Sequence, residues 1–184
     1  MKTGLMAAVT VFLSAFMLAA CDVEVEKDDA ASEALAAAEA KLARMQTHDA
    51  ELAAVETWRE VWDSAEVDRL DAIALSDFRR TAPDLSVNSV DDLNAFILQV
   101  HETYPDFRIT NDGMAAGPDG AFLQWTVTGS DTARGEDATG KSMRVTGISR
   151  YRFSDGKIAS ELVIFDTGSA LTQLETTELP HTAD

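Results

Sequence analysis

Cysteine is nearly absent from this chain: Cys21 stands alone among 184 residues. No disulfide can form within the chain, and no cysteine-based metal site. Histidine is almost as scarce. His48, His101 and His181 lie far apart and no HExxH pattern occurs, so no metal is expected. Basic residues are outnumbered, 15 Lys and Arg against 32 Asp and Glu, for a formal net charge of −17. A polyanion would be repelled, which argues against nucleic acid as a partner. The acid excess reads instead as a solvated surface. No internal repeat is visible. The apolar share of 46% is ordinary for a globular protein, and the length suits one domain with appendages.

One long apolar run does exist. Lys2 is followed by Leu5 to Ala20, a run that is short for a transmembrane helix and closely followed by acidic residues. A charged start, an apolar middle and small residues at the end make residues 1–20 a secretory signal. Its end, Leu18-Ala19-Ala20-Cys21, resembles the bacterial lipobox, in which the cysteine becomes the lipid-carrying first residue of the mature protein. That resemblance implies a bilayer partner through acylated, palmitate-type chains on Cys21. It also implies a place in the bacterial cell envelope, facing the periplasm in a Gram-negative source. Each buried methylene contributes about 0.8 kcal/mol, and more than one chain makes attachment stable. Asp22 hints at inner-membrane retention, and the choice of membrane stays open.

Residues 21–48 are acidic and alanine-rich, without Gly or Pro. Leu35, Ala38, Leu42 and Met45 have heptad-like spacing. Two readings fit this tether. It is a helical stalk or short coiled coil, or it is a charged spacer of frayed helix, because Asp49 breaks a repeat of few heptads.

From Asp49 the pattern sharpens. Leu52, Val55, Trp58, Val61 and Trp62 form an apolar helical stripe. Val67, Leu70, Ile73 and Ala74 continue it on a second short helix. Asp77 to Asn88 reads as irregular, with Pro83 a break. Ser89 with Asp92 reads as a cap. It opens a third helix through Val90, Leu93, Phe96, Ile97 and Val100, stopped near Tyr104-Pro105. Beyond Pro105 the period becomes alternating. Leu123, Trp125 and Val127 share one strand face. Met143, Val145, Tyr151 and Phe153 share a face of the next strand. Asp155-Gly156 suits a tight hairpin. Helices first, then an antiparallel meander, predicts an α+β domain with helices on one face of a curved sheet. It spans residues 49–174, and residues 175–184 read as a flexible polar tail.

On the last strand, Ile158, Ser160, Leu162, Ile164 and Asp166 share a face by strict alternation. That aims Asp166 at the helix-covered side, where desolvation would raise its pKa and suit it to proton transfer. Val163 and Phe165 leave the opposite orientation open. The competing reading of Asp166 is a strand-end cap for the turn at Thr167-Gly168-Ser169.

From about Ala50 to Leu174 the chain resembles the SnoaL-like ester cyclases of the NTF2-like superfamily. The resemblance rests on Tyr104-Pro105-Asp106-Phe107, Trp125-Thr126-Val127-Thr128-Gly129, Thr139-Gly140-Lys141 and Gly147-Ile148-Ser149-Arg150-Tyr151-Arg152. It continues with Asp155-Gly156-Lys157-Ile158, Asp166 and Leu171-Thr172-Gln173-Leu174. It implies a cone-shaped barrel in which three N-terminal helices cover a bent, mainly antiparallel sheet and leave an apolar pocket. Polyketide cyclases of the family close a ring by intramolecular aldol addition without metal or cofactor, using a pocket aspartate that aligns with Asp166. Trp58, Trp62, His101, Trp125, Tyr151 and Leu162 are the expected lining. His101 also reads as a helix-surface residue. Three positions depart from the family pattern. Thr81 and Asp131 stand where many relatives have histidine, and Leu162 stands where they have tryptophan.

The expected function is therefore a tethered binding module for a small apolar or amphiphilic molecule. The alternatives are a cofactor-free cyclase or isomerase using Asp166, and a non-catalytic structural dimer. Dimerisation through the outer sheet face is the expected assembly; Arg144, Arg150 and Arg152 either pair with acidic residues of a second copy or are ordinary solvated arginines.

Overall fold

The structure, a computed structural model, describes residues 10–133 and 135–182, with side chains from residue 29 onward. The first nine residues of the expected signal segment and the side chain of Cys21 lie outside the described residues. The chain divides into two compact units, Met1–Gln46 and Thr47–Asp184. The first is helical from Thr10, as a run rich in Ala, Glu and Leu without Gly or Pro favours. Leu35, Leu42 and Met45 there are all exposed. Among the described residues no helix is long and apolar enough to cross a membrane.

The second unit opens with the last turns of helix α1 (Thr10–Ser64). Its apolar stripe places Val55, Trp58 and Val61 at 1% exposure or less. Ala65 ends the helix by turning left-handed, with φ 58°, and its N–H donates to Val61 O at 2.8 Å. A single 3₁₀ turn and the short helix α2 (Leu70–Ile73) follow. Strand β1 (Ala74–Thr81) comes next, where the sequence predicts the end of the second helix at Ala74 and an irregular stretch from Asp77. Helix α3 (Val90–Thr103) starts on a Ser89 cap, whose Oγ accepts from Asp92 N–H at 3.0 Å. It stops at Tyr104 because Pro105 follows. Leu93, Phe96, Ile97 and Val100 bury its inner face.

Four antiparallel strands complete the sheet: β2 (Arg108–Gly117), β3 (Gly120–Ser130), β4 (Ser142–Ser154) and β5 (Lys157–Phe165). The order is β1-β5-β4-β3-β2, with β1 parallel to β5. The β4–β5 turn is Asp155-Gly156 with φ 52° and 76°, the left-handed pair that a two-residue hairpin requires. Helix α1 locks onto the start of β2. Asp63 Oδ1 accepts from Ile109 N–H at 3.0 Å, and Arg59 Nη1 donates to Ile109 O at 3.1 Å. The fold is α+β, three helices over a curved five-stranded sheet, and all of its described core lies in this second unit.

Two corrections to the sequence reading follow from the strand details. Arg152 pairs with Ser160 but Phe153 pairs with Ile158, so Ala159 is an extra residue bulged out of β5. A one-residue bulge reverses the alternation beyond it. Ile158, Glu161 and Val163 therefore face inward, at 5% exposure or less, while Ile164 is 65% exposed. The C-terminal residues are not a loose tail as far as Thr182. After helix α4 (Thr167–Leu174) a 3₁₀ turn, Pro180–Thr182, packs Leu179, Pro180 and His181 into buried positions.

Candidate functional site

The helices and the inner sheet face surround a pocket that is open to solvent at its mouth. Its walls are mainly apolar and aromatic. Helix α1 supplies Trp58 and Trp62, β3 supplies Trp125 and Val127, and β4 supplies Met143, Val145 and Tyr151. Trp125 can lie along the wall because residue 147 is glycine. A Cβ there would come within 2.3 Å of the Trp125 ring. The indole N–H of Trp125 donates to Ser149 Oγ at 3.0 Å, which fixes the ring.

One part of the lining is polar and charged. Arg80 and Glu161 are register partners in the β1–β5 pairing, and both are 5% exposed. Arg80 clamps Asp84 with two contacts, Nη1 to Oδ1 at 2.9 Å and Nη2 to Oδ2 at 3.0 Å. Its Nη1 also donates to the Leu85 carbonyl, and its guanidinium lies 5.7 Å from the Trp62 ring and 5.2 Å from that of Phe96. Arg80 Nε stands 3.6 Å from Glu161 Oε2. His181 brings Nε2 to 3.7 Å from Asp84 Oδ2 and shares a 3.0 Å hydrogen bond between Nδ1 and Tyr104 Oη.

Burial sets the electrostatics. It pushes the Glu161 carboxyl above its ordinary value, opposed in part by the Arg80 charge and by the Ser149 and Tyr151 hydroxyls. Burial acts on Asp84 too, but the neighbouring His181 and Arg80 outweigh it and hold that carboxyl well below the usual range. Burial and the neighbouring Glu161 hold the Tyr151 phenol far above its ordinary value, so it is a neutral hydroxyl. Four lining residues keep a buried polar atom without a protein hydrogen-bond partner: Trp58 Nε1, Arg80 Nε, Asp84 Oδ1 and Glu161 Oε2, the last three in ion-pair contact only.

Trp58, Trp62, Trp125 and Tyr151 thus line the cavity. Three other expected residues do not. Asp166 is exposed, and its Oδ1 accepts from Ser169 N–H at 3.0 Å as the cap of α4. The Ala159 bulge turned it outward, together with Leu162. His101 binds the Trp62 carbonyl through Nε2 at 2.8 Å, behind the wall. Of the two positions where relatives have histidine, Thr81 is exposed, and buried Asp131 accepts from Thr139 N–H at 2.8 Å, fixing a loop. Sequence reasoning missed Arg80, Asp84, Glu161 and His181 as a group. The available signal was Arg80 and Asp84 four residues apart in a segment without helical pattern.

A family model described as SnoaL-like polyketide cyclase matches residues 52–174. Solved structures share the fold at low identity. A candidate SnoaL-like polyketide cyclase from Jannaschia sp. CCS1 is 16% identical, with TM-score 0.61 over 69% of this chain and 92% of that one. TsrD from Streptomyces laurentii is 20% identical, with TM-score 0.61 over 68% and 95%. A protein of ketosteroid isomerase-like fold from Catenulispora acidiphila, in complex with trimethylamine, is 13% identical, with TM-score 0.58 over 71% and 96%. No curated protein matches the chain.

Proposed function

Because this chain belongs to the SnoaL-like polyketide cyclase family, we propose that its domain takes up one small, largely apolar molecule carrying a carbonyl or hydroxyl oxygen. The observation that carries this reading is a group of buried polar atoms without a hydrogen bond on a mainly apolar wall, Trp58 Nε1, Arg80 Nε, Asp84 Oδ1 and Glu161 Oε2, the last three held only by ion-pair contacts. Two N–H donors and two carboxyl oxygens suit a hydroxyl, which both accepts and donates, or a carbonyl, which accepts from the N–H groups. Leaving such atoms unpaired costs about 1–3 kcal/mol each, so a ligand that pairs them gains selectivity along with affinity. The apolar walls supply the rest by burying the ligand body.

Displacement of an uncharged fluorescent probe, N-phenyl-1-naphthylamine, from the Thr47–Asp184 unit tests this. Val163→Phe, which fills the cavity from β5, is expected to weaken probe binding tenfold or more, a loss of about 1.4 kcal/mol, with far-ultraviolet circular dichroism unchanged. Probe binding that ignores Val163→Phe would place the ligand elsewhere and sink the reading.

A second reading is favoured by the raised, buried Glu161. A carboxyl titrating nearer neutrality is a competent proton carrier. Its carboxylate takes the proton from a carbon flanked by carbonyls. That carbon then forms a bond to a second carbonyl carbon of the same molecule, and the resulting alkoxide takes the proton back from Glu161. This assigns to Glu161 the acid/base role that the sequence gives to Asp166. Glu161→Gln would abolish turnover and spare probe affinity; equal loss of both speaks for binding alone.

The domain is further proposed to be held at a bilayer surface in the bacterial envelope through lipidated Cys21. The Leu18-Ala19-Ala20-Cys21 sequence supports this. Cys21→Ser would release the protein from membrane fractions, and undiminished membrane association rules the anchor out. A second copy is the proposed occupant of the outer sheet face, where the register partners Ile148 and Ile164 are 50% and 65% exposed. Light scattering of wild type against Ile164→Glu reads this directly: a dimer that becomes a monomer supports it, and a monomeric wild type excludes it.

A further inference from the structure

The family match ends at Leu174, yet the chain goes on to build part of the cavity wall. Leu179 and His181 both line the cavity, at 6% exposure each. The segment is held from several sides. The His181 ring lies 5.6 Å from that of Phe96 and 5.5 Å from that of Tyr104, both presented by α3 or its cap. Its two nitrogens reach Tyr104 Oη at 3.0 Å and Asp84 Oδ2 at 3.7 Å. The local turn closes on itself, with Thr182 N–H and Thr182 Oγ1 each donating to Leu179 O at 2.9 Å. The preceding reversal uses Glu175 in the left-handed conformation, φ 53°, which ends α4 and sends the chain back.

We propose that Leu179 and His181 form an end wall that sets the length of molecule the cavity accepts, making the C-terminal turn a specificity element added to the family domain. This rests on the binding reading above. The argument is steric and polar together. Leu179 presents a branched apolar side chain to the cavity. His181 fills the space beside Asp84 and Tyr104, with Nδ1 hydrogen-bonded to Tyr104 Oη and Nε2 3.7 Å from Asp84 Oδ2. An apolar chain growing toward this turn therefore meets the Leu179 side chain and the His181 ring. A family domain ending at residue 174 would lack that wall, and its cavity would continue into the space these side chains occupy.

The test uses straight-chain primary alcohols of increasing length as competitors of N-phenyl-1-naphthylamine on the Thr47–Asp184 unit, which holds its own core. Wild type is expected to bind successive alcohols about fourfold more tightly per added methylene up to a break, beyond which affinity stops rising. Leu179→Ala, His181→Ala and a chain ending at Thr176 are each expected to move that break to longer alcohols. The gain beyond the wild-type break is about fourfold per methylene. Glu178→Ala, an exposed neighbour, serves as control and is expected to leave the break in place. A merely structural turn would weaken the whole series evenly without moving the break, and that outcome overturns the proposal. So does an unmoved break at full affinity. Should the truncated chain fail to fold, the two point variants decide. A wild type that binds neither probe nor alcohol removes the binding reading itself and the end wall with it. A wild type that binds with an unmoved break removes only the end wall.

Discussion

Arg80 and Glu161 stand directly opposite each other where β1 runs parallel to β5, and their side chains meet at 3.6 Å inside the cavity wall. Arg80 is the cation for two buried carboxylates, since Asp84 holds it in a two-point clamp. Removing a buried partner strands charge in a medium that cannot solvate it. Arg80→Met is therefore expected to cost about 3–5 kcal/mol of folding stability. Urea unfolding of the Thr47–Asp184 unit measures it. A loss below about 1 kcal/mol, the range of exposed ion pairs, would mean that the cluster is solvated.

The two carboxylates respond to pH with opposite signs. Glu161 has a folded value raised above its ordinary 4.5. Its contribution is fully present below the unfolded value and is lost as pH rises through the folded one. Glu161→Gln removes that loss, so stability relative to wild type is expected to shift in favour of the variant as pH rises above about 4.5. Asp84 has a folded value held below its ordinary 3.8. Its contribution is present above that value and lost as pH falls through the folded one. Asp84→Asn is thus most costly at neutral pH, and its deficit narrows below about pH 4. Parallel pH dependences for the two variants would contradict this assignment.

Local chemistry made part of this legible in advance. The Ser89 cap, the Pro105 stop and the Asp155-Gly156 turn act on neighbouring residues, so the sequence carries them directly. Alternation marked β3 and β4 because Trp125, Val145 and Tyr151 face one solvent-free side. Strand β1 was illegible because its long pairing is with β5, far along the chain, and because an inward arginine interrupts the apolar pattern. The site was hidden for a sharper reason. The single extra residue Ala159 decides whether Glu161 or Leu162 faces the cavity, and a small residue in a strand announces no bulge. His181 was hidden because its partners, Tyr104 and Asp84, belong to distant segments.

Gly147 is expected to be intolerant of any side chain. Its Cβ would meet two atoms of the Trp125 ring at 2.3 and 2.4 Å and the Ile164 carbonyl oxygen at 2.9 Å. Gly147→Ala must push the indole toward the cavity or away from Ser149, at about 1–3 kcal/mol for an overpacked site. Weaker probe binding and altered tryptophan emission are expected together. Unchanged emission would mean that Trp125 does not rest on this glycine.

Asp166 separates a cap from a catalyst. As the residue that accepts from Ser169 N–H at the start of α4, it is expected to be replaceable by another capping side chain. Asp166→Asn keeps the acceptor and should leave stability and probe affinity close to wild type. Asp166→Ala loses the cap and is expected to cost about 0.5–2 kcal/mol, again with the cavity intact, since Ala170 and not Asp166 reaches the lining from α4. A proton carrier would behave in the reverse way: Asn would be as damaging to turnover as Ala while stability stayed unchanged. Such a result would return the chemistry to Asp166 and require α4 to swing its first turn inward.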